Sequence, residues 1–373
     1  MTQADVGPAE VRPDGAVRCV AVLARDYPDV IFDLRVAEGD KVLAGQALCH
    51  DRARPEICLV SPVAGRVSHI SFGARRRLAR IDIAVQADSD AARRFDTLVP
   101  QDDGAGLRRL LQQAGAWASF RTRPFGHLPD PDASPAAIFV IAAMADPRLL
   151  DTELLHRGMA ALKLLTPGPL ILCQPPGPPL LPEDDRLRLA RFSGPSRAAG
   201  PMIHRMMPVS RQRMVWQATA QDVVAIGHLL ACGQIMGTRV VTRAGQGPVV
   251  LPLGAVLDRA SQPCLGRYDL HLDDAAADQR LPVWKRLLAR LPQAKGAAML
   301  PLESFERAFP FAILPAPLMR ALACGDVETA ERLGCLELLE EDVASLGALC
   351  PSGSDYGAML RRVLRSLAQE VRA

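Results

Sequence analysis

Lysine is nearly missing from this chain: four residues are Lys and forty are Arg. With abundant Ala and Pro, that imbalance reads as the codon usage of a GC-rich genome rather than an arginine-rich binding face. No basic cluster exceeds the run Arg75-Arg76-Arg77, which supports that reading. A net charge of +3 gives no global pull toward nucleic acid or an anionic membrane. Long apolar runs are also missing. Ala136 to Ala145 and Val223 to Cys232 are the longest, near half of the ~20 residues that span a bilayer. The N-terminal stretch lacks the basic and apolar regions of a secretory signal, which predicts neither a leader nor a transmembrane helix.

The nine cysteines are scattered, and none stands in C-x-x-C, so no zinc knuckle or ferredoxin-type cluster is written here. Free thiols in a reducing, intracellular setting are the expectation. G-x-G-x-x-G and the P-loop pattern are both missing. The nearest Gly-containing loop, Phe192 to Gly200, carries Pro195, which removes an amide donor that a phosphate nest would use.

What is present is enough apolar sequence, 49% of 373 residues, to build two or three cores. The first ninety residues read as short strands joined by Gly/Asp turns, a small all-β sandwich: Val17 to Val22, both sides of the turn within Val36 to Val42, Gly45 to Cys49, Ile57 to Ser61, Val63 to Ile70 and Arg80 to Val85. A helix ending at Gly115 follows, with Asp102-Asp103 at its start. Trp117 to Phe125 reads as a loop because of Pro124. The continuous apolar strands Ala136 to Ala143 and Pro169 to Cys173, separated by a helix over Asp151 to Leu165, predict a parallel sheet covered on both faces. This α/β part runs to about Gly237. Short strands return from Val240 to about Leu272, and four helices are predicted at Leu314–Cys324, Glu328–Leu333, Glu340–Leu349 and Tyr356–Val371.

Few residues carry chemistry. Val36 to Leu48 followed by Ser61 to Val67 resembles the biotinyl/lipoyl carrier fold, yet the position of the acylated lysine falls at Arg54. A guanidinium stays protonated and cannot form that amide, so the domain is expected to be structural. His204 and His228 lack a second ligand at metal spacing and read as structural. Glu340-Glu341-Asp342 suits a helix N-terminus. No triad or carboxylate dyad has a recognisable context, and no metal site is expected.

Several segments occur together in order: Ala116 to Phe125, Ile138 to Met144, Phe192 to Pro195 with Gly200 and His204, Gln221 to Gly227, Leu265 to Tyr268, Gly325-Asp326, Leu333 to Leu338, Glu341-Asp342, Cys350-Pro351 and Tyr356-Gly357. Collinear over nearly the whole chain, they resemble the A subunit of the sodium-translocating NADH:quinone oxidoreductase, a relative of the Rnf-complex C subunit. The resemblance implies an α/β multidomain fold. Its parts would be a carrier-like β domain (1–95), a Rossmann-like α/β domain (96–238), a β-grasp, SLBB-like region shortened at about 241–262 (239–312) and a helical C-terminal domain (313–373).

It also implies a peripheral, non-catalytic subunit on the cytoplasmic side of the bacterial inner membrane, near the quinone-reducing end. It would dock on the integral B subunit, with the C subunit as a further partner. NADH, FAD, FMN and iron–sulfur chemistry would belong to other subunits, with ubiquinone the one ligand candidate here and no nucleic acid as partner. For an anion or quinone contact the expected loop is Arg121, Thr122, Arg123 and Phe125, against the alternative of an interdomain salt-bridge loop. A stand-alone paralogue holding a quinone or flavin-like ligand stays open as a second reading.

Overall fold

The computed structural model describes residues 12–13, 17–86, 91–97, 103–142, 149–192, 199–243, 247–256, 271–272, 303–350 and 353–372. The chain divides into two units. The first holds Met1–Arg121, Leu128–Arg191 and Ala218–Asp273; the second holds Thr122–His127, Phe192–Gln217 and Asp274–Ala373.

The first unit opens with strands β1 (Arg12–Pro13), β2 (Cys19–Leu23), β3 (Phe32–Leu34), β4 (Lys41–Val42), β5 (Ala47–Asp51), β6 (Cys58–Val60), β7 (Gly65–Phe72) and β8 (Leu78–Val85). Two antiparallel sheets form, in the orders β2-β8-β7-β4 and β3-β5-β6. Alternation sorts the side chains: Val67, Ile81 and Ile83 of one sheet and Leu48 and Leu59 of the other are buried. The strand expected at Val36–Ala37 is replaced by β3. Asp40 Oδ2 accepts from the Ala37 N–H at 2.8 Å, so the turn already begins there.

The α/β part contains α1 (Gly104–Gln113), β9 (Arg121–Arg123), β10 (Ile138–Ile141), α2 (Thr152–Leu162), β11 (Leu170–Gln174), β12 (Leu187–Arg191), α3 (Ala199–Met206), β13 (Val215–Thr219) and α4 (Ala220–Cys232). Strands β10, β11 and β12 run parallel, with Ile138 opposite Leu170 and Leu170 opposite Leu187. Every residue of β10 and β11 is buried, as continuous apolar strands require. Side-chain caps start the helices: Asp103 accepts from the Gly106 N–H, Asp151 from Leu154 and Thr219 from Asp222. Helices α2 and α4 touch backbone to backbone. A Cβ on Gly158 would lie 2.2 Å from the Val223 carbonyl, and one on Gly227 would lie 2.0 Å from that of Leu154.

Two corrections concern this region. The Trp117 to Phe125 segment is not a simple loop; a short turn, Ala116–Ser119, leads into β9. Pro124 ends that strand rather than abolishing it, because proline pushes the residue before it toward extended backbone. Strand β12 carries a mixed Leu-Arg-Leu-Ala-Arg pattern that the search for continuous apolar runs passes over.

Strands β14 (Thr238–Arg243), β15 (Gly247–Pro252) and β16 (His271–Leu272) complete the first unit. The sheet order is β1-β15-β14-β16, with β14 and β15 an antiparallel hairpin. The chain beyond β15 then joins the outer edge of β2: Ala21 N–H donates to the Gly254 carbonyl at 2.7 Å and Val256 N–H to that of Cys19 at 3.0 Å. The sequence-predicted segments 193–198 and 265–268 lie outside the described residues.

In the second unit, α5 (Glu303–Ala308), α6 (Pro315–Cys324), α7 (Val327–Arg332), α8 (Glu340–Leu349) and α9 (Tyr356–Arg372) surround one core. Tyr356, Leu360, Val363, Leu364 and Leu367 place the inner face of α9 at helical spacing. Phe305, Phe309 and Phe311 belong to the same core, so the helical part reaches back to Glu303, ahead of the expected boundary at 313. No helix among the described residues is long and apolar enough to cross a membrane.

Candidate functional site

The carrier position is closed. Arg54 lies in the turn between β5 and β6, where its Nε donates to Asp51 Oδ2 at 3.0 Å and its Nη1 to the Pro129 carbonyl at 3.3 Å. Asp51 is 3% exposed and also accepts from the Ala53 N–H. The residue at the acylation position therefore faces inward on an ion pair instead of reaching out to solvent.

One cleft of about 80 Å³ lies within the first unit, where the β-sandwich, the α/β part and the β14–β15 hairpin meet. Its walls are mostly apolar, from Leu23, Val60, Leu229 and Met236 among others, and its polar members include Asp26, Ser119, Gln221, Asp222, Thr238 and Arg239. That composition, apolar walls with a few converging polar groups, is the usual one for a ligand site. Pockets that enclose a drug-sized ligand run to ~300–1,000 Å³, so this one seats a ring or a few waters and leaves the remainder of a larger molecule outside.

Gln221 and Asp222 stand on α4, and Arg239 stands on β14. Arg239 Nη2 donates to Asp222 Oδ1 at 2.8 Å, and both side chains are within 3% of full burial. Thr219 Oγ1 donates to Asp222 Oδ2 at 2.6 Å. Gln221 imitates a strand residue: its amide donates to the Val240 carbonyl and accepts the Val240 N–H, both at 2.7 Å. Replacing Gln221 with alanine should cost about 1–2 kcal/mol, the worth of two partly buried hydrogen bonds. Native-state hydrogen exchange reads it as faster loss of the Val240 amide proton.

The predicted Arg121, Thr122, Arg123 and Phe125 segment is placed differently from an open anion grip. Arg121, Thr122 and Arg123 are all buried in β9. Within the second unit, Arg123 Nη1 donates to Asp342 Oδ2 and to the Glu337 carbonyl, each at 2.9 Å, and Nε donates to Gln217 Oε1 at 2.7 Å. Thr122 Oγ1 donates to the Pro124 carbonyl at 2.9 Å and accepts from the His127 N–H. Phe125 is half-buried with its ring stacked on His127, and its carbonyl accepts from Arg361 Nη1 at 2.6 Å.

Asp342 thus does more than the helix-start role expected of it. It accepts from the Leu339 N–H at 2.8 Å and neutralises Arg123 at 1% and 0% exposure. Burial pushes its carboxyl above the ordinary range, Arg123 pulls it back, and Glu341 adds to the rise. Glu337 is likewise raised by burial, against the Val209 N–H, His204 and Arg123. His204 Nε2 accepts from the Ala312 N–H at 3.2 Å, and its Nδ1 lies 3.6 Å from Glu337 Oε2. The Arg123–Asp342 pair was not legible in the sequence. Four acids and four apolar residues share the stretch Leu336 to Val343, and nothing in it singles out Asp342.

The remaining candidates are simpler. His228 Nε2 lies 3.2 Å from the exposed Cys232 Sγ, one helical turn on. Among the described residues no group of three or more His, Cys, Asp or Glu could hold a metal ion, and the described cysteines form no disulfide. Burial pushes the Cys49 and Cys335 thiols up to about 12.

Comparison with known proteins shows where this arrangement belongs. Residues 7–86 match the NqrA N-terminal barrel-sandwich hybrid domain, and residues 103–235 match the NqrA second alpha/beta domain. The A subunit of the Na+-translocating NADH-quinone reductase of Neisseria meningitidis serogroup C is 31% identical, across 97% of this chain and 96% of that protein. The chain belongs to this family. The NqrA proteins of Yersinia pestis bv. Antiqua and Pasteurella multocida are 31% and 30% identical, over the same shares of each chain. The fold is accordingly a mixed α/β protein with a barrel-sandwich N-terminal domain, a second α/β domain and C-terminal helices. The aligned length of 433 positions exceeds the 373 residues here, so the Neisseria relative carries residues that this chain lacks. In family terms, the barrel-sandwich supplies one wall of the cleft and the second domain supplies the α1 and α4 side. Met236, Thr238, Arg239, Leu253 and Gly254 close it from beyond both matched regions.

Proposed function

We propose that the chain is a peripheral, non-catalytic docking subunit of a sodium-translocating NADH:quinone reductase, seated near the quinone-reducing end on the cytoplasmic side of the membrane. The observation that carries this reading is family membership over 97% of the chain. In finer terms the second domain is Rossmann-like and the β14–β15 sheet is a shortened β-grasp, SLBB-like piece. Its partners are the integral B subunit plus the C subunit, while NADH, FAD, FMN and iron–sulfur centres reside elsewhere in the complex. The anion or quinone contact assigned to Arg121, Thr122, Arg123 and Phe125 belongs to this reading. Phe125, half-buried, is the member that offers a face to a planar ring, while Arg123 is held by Asp342. The test is recovery of the tagged chain from detergent-solubilised membranes with its genomic neighbours co-expressed. Co-purification of an integral flavin-bearing subunit is expected; a wholly soluble monomer under those conditions sinks the assignment.

The cleft favours a second reading, a stand-alone paralogue that binds a quinone or flavin-like ligand. A ligand that binds only the native state must raise the melting temperature, by RT ln(1 + [L]/Kd) in free energy. Absence of a shift with saturating short-chain ubiquinone and with FMN removes the basis for it.

A further inference from the structure

The turn joining β7 to β8 carries the one basic run singled out in the sequence, and the structure gives it a setting that solvation alone does not explain. Residues 72–77 are all exposed, with Phe72 55% exposed beside Arg75, Arg76 and Arg77. Arg75 and Arg76 both take left-handed backbone, φ 57° and 56°, while Gly73 N–H closes the turn on the Arg77 carbonyl at 2.8 Å. Two successive non-glycine residues in that region are strained, and such strain gathers at functional turns.

Among the described residues no acid answers the three guanidinium groups. The sequence from Ile57 to Ile81 holds no Asp or Glu. Asp82, next along the hairpin, is taken by Arg80 at 2.7 Å. Glu38, brought in by the fold, is engaged by His69 Nδ1 at 2.9 Å and the Ile70 N–H at 2.7 Å. Arg75, Arg76 and Arg77 have no ion pair among the described residues. An exposed ring next to unpaired cations at a hairpin end is the composition that settles at headgroup depth, with the ring in the interface and the charges on lipid phosphates.

We propose that the β7–β8 tip is a lipid-contact point that docks this chain on an anionic phospholipid surface. The inference deepens the peripheral reading but does not need the assembled complex, since the isolated chain carries the tip. The experiment is co-sedimentation of the full chain at low salt with phosphatidylglycerol/phosphatidylcholine vesicles and with phosphatidylcholine alone. Binding is expected only to the first and should weaken with added NaCl. Arg75→Gln with Arg76→Gln and Arg77→Gln should weaken it on the order of 100-fold. The triple Lys replacement, which keeps three point charges, should retain most of it, and Phe72→Ser should reduce it. These side chains are exposed, and an unchanged urea midpoint confirms that each variant folds. The proposal is overturned if the unaltered chain ignores anionic vesicles, or if neither the triple Gln nor the Phe72→Ser change moves binding. Loss of co-purification with membrane subunits in the triple Gln variant, without vesicle binding by the parent, assigns the tip to an acidic protein face instead.

Discussion

Replacing Arg123 with alanine should destabilise the second unit by about 3–5 kcal/mol, the cost of leaving a buried charge without its partner. Urea denaturation of the full chain measures it. Asp342 is fully buried and its Oδ1 has no hydrogen-bond partner, so Arg123 is the main thing that keeps the carboxylate ionised there. The pH dependence follows from the direction of the shift. Burial raises the Asp342 carboxyl in the folded state, and removing Arg123 takes away the largest effect opposing that rise. The folded variant therefore binds a proton that the unfolded chain has already lost. Its stability falls as pH rises above the unfolded carboxylate value of ~4, and its deficit shrinks as pH falls toward that value. Adding Asp342→Asn should recover much of the loss at pH 7, because Asn can still accept from the Leu339 N–H and carries no charge. A deficit that does not change with pH, with no recovery in the double variant, refutes the account.

The second large effect belongs to the α2–α4 contact. Gly227→Val should cost about 3 kcal/mol, the upper end for overpacking. Even the first added carbon would meet the Leu154 carbonyl at 2.0 Å and the Gly158 N at 3.2 Å, and backbone on both sides cannot rotate away. Gly158→Ala presses on the same gap through the Val223 carbonyl. Once either substitution has forced the helices apart, the other has less to push against, so the two should be less than additive in a double-mutant cycle. Additivity within ~0.5 kcal/mol would mean that each site relaxes independently, against the shared-gap account.

Much of the fold is legible without coordinates where one local rule suffices. Helix α8 runs over Glu340–Leu349, as its acidic start and apolar spacing predict, and α1 starts at the Asp103 cap and stops before Gly115, whose φ is +71°. The buried parallel strands β10 and β11 announce themselves as unbroken apolar runs, and the presence of Arg rather than Lys at position 54 rules out acylation by chemistry alone. The collinear segments carry the family.

Tertiary structure decided what depends on residues far apart in the chain. Arg123 and Asp342 are 219 residues apart, and nothing in either neighbourhood says that the two charges meet. The paired arginines of the Arg121–Arg123 stretch suggested an anion grip because charge is legible in sequence, whereas burial and the identity of the countercharge are not. The cleft is likewise assembled from the sandwich, α4 and the β14–β15 hairpin, and Gln221 becomes a clamp only because the fold brings the Val240 backbone to it. Local propensity and chemical type act over a few residues and can be read along the chain. Pairing energies depend on distance and on exclusion from water, and only the folded arrangement sets those.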